Sequence, residues 1–126
     1  MQATRLQLSC WVLSAVWMGL IFFLSHQHSL PMPALFPGQD KFFHGIVFGV
    51  LGAFYLGSMR KSLTGYSLSQ AATASLYVLA YGVSDEAHQY FVPGRSTEYM
   101  DIAADAAGGL LMVTIMYLIA RRSGLP

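Results

Sequence analysis

LQLSCWVLSAVWMGLIFFL, the stretch at residues 6–24, contains no charged side chain. A helix that crosses the hydrocarbon core of a bilayer needs about 20 mostly apolar residues, at a rise of about 1.5 Å each. The stretch has this length and composition. It is apolar on all sides, whereas a helix of a soluble bundle keeps one polar face. The sequence therefore predicts an integral membrane protein rather than a soluble four-helix bundle.

Three further apolar segments follow the first. The four predicted spans lie at about residues 6–24, 42–59, 69–90 and 102–120. Basic pairs end the second and fourth segments, and Pro93-Gly94 follows the third. The connections are short, and no repeat or linker divides the chain. We predict an all-α bundle of four transmembrane helices that forms one domain over residues 1–126.

The composition of the 126 residues excludes several functional classes. Charged residues make up only 10% of the chain, against about 25% in a typical soluble domain. The formal net charge is +1 and no basic run is longer than two residues, so we expect no nucleic-acid partner. Cys10 is the single cysteine, which excludes an intrachain disulfide and a cysteine-based zinc site.

The distribution of Lys and Arg predicts the orientation, because short cytoplasmic loops carry an excess of both. With the N-terminus inside, five basic residues face the cytoplasm and two face outward. The inner five are Arg5, Arg60, Lys61, Arg121 and Arg122, and the outer two are Lys41 and Arg95. We therefore predict that both termini are cytoplasmic.

All six acidic residues then fall at or near the outer face of the membrane. They are Asp40, Asp85, Glu86, Glu98, Asp101 and Asp105, and all four histidines join them. Two bases against six acids leave this end with a formal charge of −4. A carboxylate deep in a bilayer costs about 2.5–3.5 kcal/mol on insertion scales, so it faces a cavity or a partner. We predict a polar, acid-rich pocket at the outer leaflet.

Helical spacing groups these polar residues on shared faces. The pairs four residues apart are Asp40 with His44, Asp85 with Gln89, and Asp101 with Asp105. Asp85 and Glu86 are adjacent and point about 100° apart, so only one of them is expected to face the pocket centre. In the second segment Gly45, Gly49, Ala53 and Gly57 form a ridge of small residues that favours close helix packing.

Four polar motifs stand at the outer ends of the four segments. In chain order they are Ser25-x-Gln27-x-Ser29, Asp40-Lys41-x-x-His44, Asp85-Glu86-x-x-Gln89-x-x-x-Pro93-Gly94-Arg95 and Asp101-x-x-x-Asp105-x-x-Gly108. Together they resemble the VanZ-like family of small bacterial membrane proteins. The resemblance implies a multi-pass protein of the bacterial cytoplasmic (inner) membrane. The family's founding member is associated with resistance to the glycopeptide teicoplanin, and the resemblance implies no particular reaction.

The motifs and their placement define the candidate site. Its reactive groups would be His44, Asp85, Glu86 and Asp101, and its ligand-binding groups would be Ser25, Asp40, Lys41, Gln89, Arg95 and Asp105. In the first hypothesis the pocket binds or acts on a cell-envelope ligand, either lipid-linked or glycopeptide-related, and contributes to glycopeptide resistance. Membrane lipid and an envelope component are then the expected partners.

Three alternatives stay open from the residues alone. A membrane-embedded hydrolase or transferase would use His44 with a carboxylate, while Arg95 holds an anionic envelope lipid. A divalent cation would bind the excess carboxylates: magnesium or calcium suits a site of oxygen ligands, and His44 would be a further ligand if the ion is zinc or manganese. In a purely structural cap, Arg95 and Lys41 would pair with buried acids and hold the helix ends together. Those acids would be Asp85, Asp101 and Asp105. The oligomeric state is also open.

Overall fold

Four α-helices make up most of residues 2–28, 32–61 and 65–124, which the computed structural model describes. They are α1 (Gln2–Ser25), α2 (Gln39–Ser58), α3 (Leu68–Tyr90) and α4 (Tyr99–Ser123). No β-strand occurs within these described ranges. The predicted all-α, four-helix fold is therefore confirmed. Ser29 of the first motif lies outside the described residues.

All four helices begin before the predicted spans, and in α2 and α4 the extra turn is partly polar. α2 begins at Gln39 rather than near residue 42, and α4 begins at Tyr99 rather than near 102. Each early turn contains an acid, Asp40 in α2 and Asp101 in α4. A carboxylate near a helix N-terminus is stabilised by the helix dipole, so the helix continues past the end of the apolar segment.

Three of the helices are long and apolar enough to cross a membrane by themselves. These segments are Thr4–Ser25, Gln39–Ser58 and Tyr99–Ser123. α3 has 23 residues and is as long as the others, but polar residues at both of its ends lower its mean hydropathy. The placement of both termini in the cytoplasm stays a prediction from the Lys and Arg count.

The bundle is apolar outside and partly polar inside. Val16, Leu76 and Leu111 are each more than 60% exposed. The buried polar and charged residues are Ser14, Ser25, Gln39, Ser58, Asp85, Glu86, Gln89, Asp101 and Asp105. Charged residues are almost never fully buried in soluble proteins unless they are paired. Exposed aliphatic side chains around buried acids are the arrangement expected for a bundle in lipid.

Glycines allow α2 and α4 to approach closely. A Cβ built at Gly108 would collide with the backbone of Gly45, and one at Gly49 would lie 3.2 Å from the carbonyl oxygen of Gly108. The first two members of the predicted small-residue ridge therefore face α4. Gly57 faces α1 instead, because a Cβ there would lie 2.8 Å from the Sγ of Cys10.

Hydrogen bonds from aromatic side chains attach α1 to its neighbours. The indole Nε1 of Trp17 donates to the carbonyl oxygen of Val47 on α2 at 2.9 Å. The hydroxyl of Tyr81 on α3 donates to the carbonyl oxygen of Met18 at 2.7 Å. Ile21 packs beside them in a core with residues of α2 and α3. Uncharged hydrogen bonds and apolar packing thus attach α1 to the bundle, whereas ion pairs of the described residues join α2 to α4 and to the residue before α4.

Gly108→Ala is expected to lower the free energy of unfolding by about 3 kcal/mol or more, because the methyl group cannot fit without moving the backbone of Gly45. Gly19→Ala is the matched control, since a Cβ at Gly19 meets nothing within 4 Å. Thermal unfolding of both variants in the same detergent measures the effect. Equal midpoints for the two variants would contradict the close approach of α2 and α4.

Candidate functional site

Lys41 joins three carboxylates at one end of the bundle. Its Nζ lies 2.7 Å from an oxygen of Asp101, 2.7 Å from one of Asp40 and 2.6 Å from one of Glu98. Asp101 is buried on α4, whereas the side chains of Asp40 and Glu98 are 64% and 52% exposed. One ammonium group therefore faces three acids, and Asp101 depends on it most because water does not reach that carboxylate well.

His44 forms a second contact between α2 and α4. Its Nδ1 lies 2.8 Å from Oδ1 of Asp105, a side chain with no exposed surface. Its Nε2 lies 4.0 Å from Oδ2 of Asp101. When Nδ1–H donates to the carboxylate of Asp105, the neutral imidazole carries its lone pair on Nε2. The sequence placed Asp40 on the same helix face as His44, but the carboxylate that bonds to His44 is Asp105 of α4.

Gly82 on α3 leaves the space that Asp105 occupies. A Cβ at Gly82 would lie 3.0 Å from Oδ2 and 3.1 Å from Cβ of Asp105. Oδ2 of Asp105 has no hydrogen-bond partner within the described part of the chain. α3 therefore covers this carboxylate closely without bonding to its second oxygen.

Asp85 and Glu86 are both buried on α3 and line different pockets. Oδ2 of Asp85 accepts a hydrogen bond from Nε2 of Gln89 at 3.1 Å. Oε2 of Glu86 accepts one from the backbone N–H of Glu98 at 3.2 Å. Oε1 of Glu86 has no partner among the described residues. The adjacent acids therefore diverge, as their helical spacing predicted.

A cavity of about 450 Å³ lies among α1, α2 and α3 at this end. Its polar lining consists of Ser25, Gln39, Asp40, His44, Asp85, Gln89 and Arg95. Its apolar lining consists of Ile21, Leu24, Met32, Ala34, Phe36, Phe43, Val47 and Phe48. Six of the ten predicted site residues share this wall. Glu86 lines a second pocket of about 310 Å³ instead.

Arg95 departs from the expected cap. Within residues 2–28, 32–61 and 65–124, its side chain makes no ion pair or hydrogen bond, and its buried Nε has no partner. The acids it was expected to pair with have other partners. They are Asp101 with Lys41, Asp105 with His44, and Asp85 with Gln89. The cap alternative gave this pairing to Arg95 and Lys41 together; Lys41 carries it out as expected, and His44 takes the place of Arg95.

Ser25 is buried in the cavity wall, but no hydrogen bond joins it to His44 among the residues described. The nucleophile–base pair that a serine hydrolase needs is thus not formed here.

Sequence reasoning missed Gln39. Its Oε1 accepts a hydrogen bond from the backbone N–H of Leu35 at 2.6 Å, and its Nε2 donates to the carbonyl oxygen of Pro33 at 2.9 Å. These bonds hold the segment before α2 against the cavity, where Met32 and Phe36 form part of the wall. The signal in the sequence was a glutamine directly after a glycine. In the structure that glycine, Gly38, is the N-cap residue of α2 and has a left-handed φ of 77°.

Lys41→Ala is expected to lower the free energy of unfolding by about 1–3 kcal/mol, because Asp101 loses its charged partner while it stays buried. Lys61→Ala is the control, since Lys61 is exposed beyond the opposite end of α2. Chemical unfolding in detergent measures both variants. The double variant Lys41→Ala/Asp101→Asn should recover part of the lost free energy of unfolding, because the buried charge is removed as well. Equal stability of the Lys41→Ala and Lys61→Ala variants would refute the pairing.

Comparison with known proteins identifies the family. The VanZ/LLP1 family model matches residues 10–120, a range that contains every candidate site residue. Neither the curated proteins nor the solved structures give a match.

Proposed function

The chain belongs to the VanZ/LLP1 family, as its polar motifs predicted, and from this premise we propose that its cavity binds a lipid-linked ligand of the bacterial cell envelope. The membrane character rests on the family and on the span-capable helices. The observation that carries the proposal is the guanidinium of Arg95, which has no partner among the described residues and lies in the wall of a cavity with both polar and apolar lining residues.

Arg95 is the group expected to bind the anionic part of the ligand. A buried N–H group without a partner costs free energy, and a bound oxyanion would satisfy it. Guanidinium binds phosphate and carboxylate through two parallel, charge-assisted hydrogen bonds. A phosphate-bearing headgroup therefore fits the chemistry of Arg95.

The apolar wall suits a hydrocarbon chain. Ile21, Val47 and Phe48 contribute to it within the bundle, and Met32 and Phe36 contribute from the segment before α2. Small-molecule sites commonly have volumes of about 300–1,000 Å³ and are lined mostly by apolar groups. The cavity of about 450 Å³ is in this range. It fits a headgroup with the first part of a lipid tail.

Asp40 and Asp85 add acceptors beside Arg95 in the same cavity. These carboxylates would weaken the binding of an anionic group by Arg95 without abolishing it, whereas hydroxyl or ammonium groups would donate hydrogen bonds to them. The mixture of signs favours a headgroup that carries one anionic group together with several donors. Lipid-linked sugars and amino-bearing envelope precursors have this chemistry.

A role in glycopeptide resistance is a further part of the proposal and rests on the resemblance to VanZ-like proteins. Retention of an envelope component at the outer leaflet would change what teicoplanin meets at the cell surface. Teicoplanin susceptibility of cells that produce the protein would test this role separately from ligand binding.

Arg95→Gln is expected to weaken binding of farnesyl phosphate by about 10- to 100-fold, because a hydrogen bond to a charged group contributes about 1.5–3 kcal/mol. Titration calorimetry of detergent-solubilised protein measures the affinity, and farnesol reports the part that does not depend on phosphate. Arg121→Gln is the control, since Arg121 is exposed at the far end of α4. Equal affinities of the two variants would refute the role of Arg95.

A hydrolase or transferase is the second candidate, favoured by the hydrogen bond between His44 and Asp105. An imidazole whose Nδ1 is held by a carboxylate presents Nε2 as a general base. His44 also lines the cavity, so a ligand bound there would lie near its imidazole ring. Ser25 shares the wall without a hydrogen bond to His44, so water rather than serine would be the nucleophile to activate.

We expect the wild-type protein to bind farnesyl phosphate without hydrolysing it. A measurement of released inorganic phosphate tests this expectation. His44→Gln should then retain farnesyl phosphate affinity, since Arg95 makes the main contact. Release of phosphate by wild type, lost in both His44→Gln and Asp105→Asn while binding persists, would replace the binding role with the enzyme role.

A further inference from the structure

We infer that His44, Glu86 and Asp101 form a binding site for a divalent transition-metal cation, Zn²⁺ or Mn²⁺. The inference goes beyond the proposed function and does not depend on it. Each of the three residues offers one ligand atom, and these atoms lie within 4.8 Å of one another. Nε2 of His44 and Oδ2 of Asp101 are 4.0 Å apart. Ligands at about 2.0–2.2 Å from one ion lie about 3–4 Å from each other, so a small contraction would complete the shell.

The surrounding residues orient two of the three ligands. Asp105 bonds to Nδ1 of His44 and leaves Nε2 available. Histidines that bind metals nearly always donate their other N–H to a carboxylate, carbonyl or water, which fixes the ring and the tautomer. Lys41 holds Oδ1 of Asp101 at 2.7 Å, so Oδ2 is the oxygen on the side of His44.

Glu86 supplies an independent reason to expect a cation. It is only 4% exposed, and no basic side chain pairs with it among the described residues. Its Oε2 accepts one backbone hydrogen bond, while Oε1 has no partner in the described part of the chain. Buried charges are usually paired or coordinate a metal. A cation between Glu86 and Asp101 would compensate both carboxylates.

The ligand set favours a transition metal over magnesium. One imidazole nitrogen with two carboxylate oxygens suits zinc or manganese, whereas magnesium prefers oxygen ligands alone and keeps several waters. His44 lines the larger cavity and Glu86 lines the smaller pocket. The site therefore lies between two openings, and coordination positions not filled by protein can face either of them.

A second acidic cluster provides a matched control. Asp40, Glu98 and Asp101 also bring carboxylate oxygens within 4.8 Å of one another, but the ammonium of Lys41 already pairs with all three. This outer cluster needs no metal ion. Glu98→Gln therefore removes an acid of the same type, while it keeps all three inferred ligands and the backbone hydrogen bond from residue 98 to Glu86.

Titration calorimetry tests the inference. The full chain in detergent is first freed of bound metal ions with a chelator, and ZnCl₂, MnCl₂ and MgCl₂ are then titrated in separate experiments. We expect one Zn²⁺ or Mn²⁺ per chain and weaker binding of Mg²⁺. Glu86→Gln should reduce the affinity at least about tenfold, since even second-shell changes cost about 10- to 100-fold. Glu98→Gln should leave it unchanged.

Two results would overturn the inference. One is the absence of saturable Zn²⁺ or Mn²⁺ binding to wild type, and the other is binding that Glu98→Gln removes and Glu86→Gln retains. Should Glu86→Gln fail to fold, X-ray absorption of Zn²⁺-loaded wild type decides, because the shell must contain one imidazole with oxygen ligands. A shell without imidazole rejects the site.

The metal test and the ligand test fail separately. Arg95→Gln should bind the metal ion as wild type does, and farnesyl phosphate binding is measured in the presence of chelator. Nε2 of His44 has a single lone pair, so a bound ion removes the general-base role of that nitrogen. Metal binding is therefore incompatible with the simple hydrolase alternative and leaves anion binding by Arg95 untouched.

Discussion

Two polar contacts between α2 and α4 organise the whole molecule. Lys41 meets Asp101 and, one turn deeper, His44 meets Asp105. The two helices approach closely enough for these contacts because Gly45 faces Gly108 just below them. In a bilayer the lipid is as apolar as the helix faces, so close packing and polar contacts rather than hydrophobic burial hold helices together. The cavity lies on the α1 and α3 side of these contacts.

The helices and the identity of the polar end were predictable because both depend on local composition. An uncharged run such as 6–24 predicts a span by its length alone, and acids confined to one end predict a polar pocket. Spacing also predicted that Asp85 and Glu86 diverge. The pairing of charges was not predictable, because the sequence places Lys41 and Arg95 at the same end of the predicted spans and does not show which of them reaches the buried acids. The rotation of α2 and α4 places Lys41 beside Asp101, whereas Arg95 lies in the connection between α3 and α4 and lines the cavity without a partner among the described residues.

Burial explains why the same residues support more than one chemistry. Asp85, Glu86, Asp101 and Asp105 are all nearly inaccessible to solvent. Each has a different kind of partner: an amide, a backbone N–H, an ammonium and an imidazole. Gln39 is uncharged and has a different role, because its hydrogen bonds hold the segment before α2 beside the cavity. Among the described residues, the site therefore combines a cation without an acidic partner, Arg95, with an acid without a cationic partner, Glu86.

The low hydropathy of α3 has a consequence for biogenesis. α1, α2 and α4 are long and apolar enough to cross a membrane by themselves, whereas α3 combines a lower hydropathy with two carboxylates, Asp85 and Glu86, that are buried by its neighbours. During synthesis α3 emerges before α4, which is its main neighbour, and before Glu98, whose backbone N–H bonds to Glu86. α3 is therefore expected to wait at the translocon until α4 arrives and to enter the bilayer paired with it, so that the C-terminal half inserts as a hairpin.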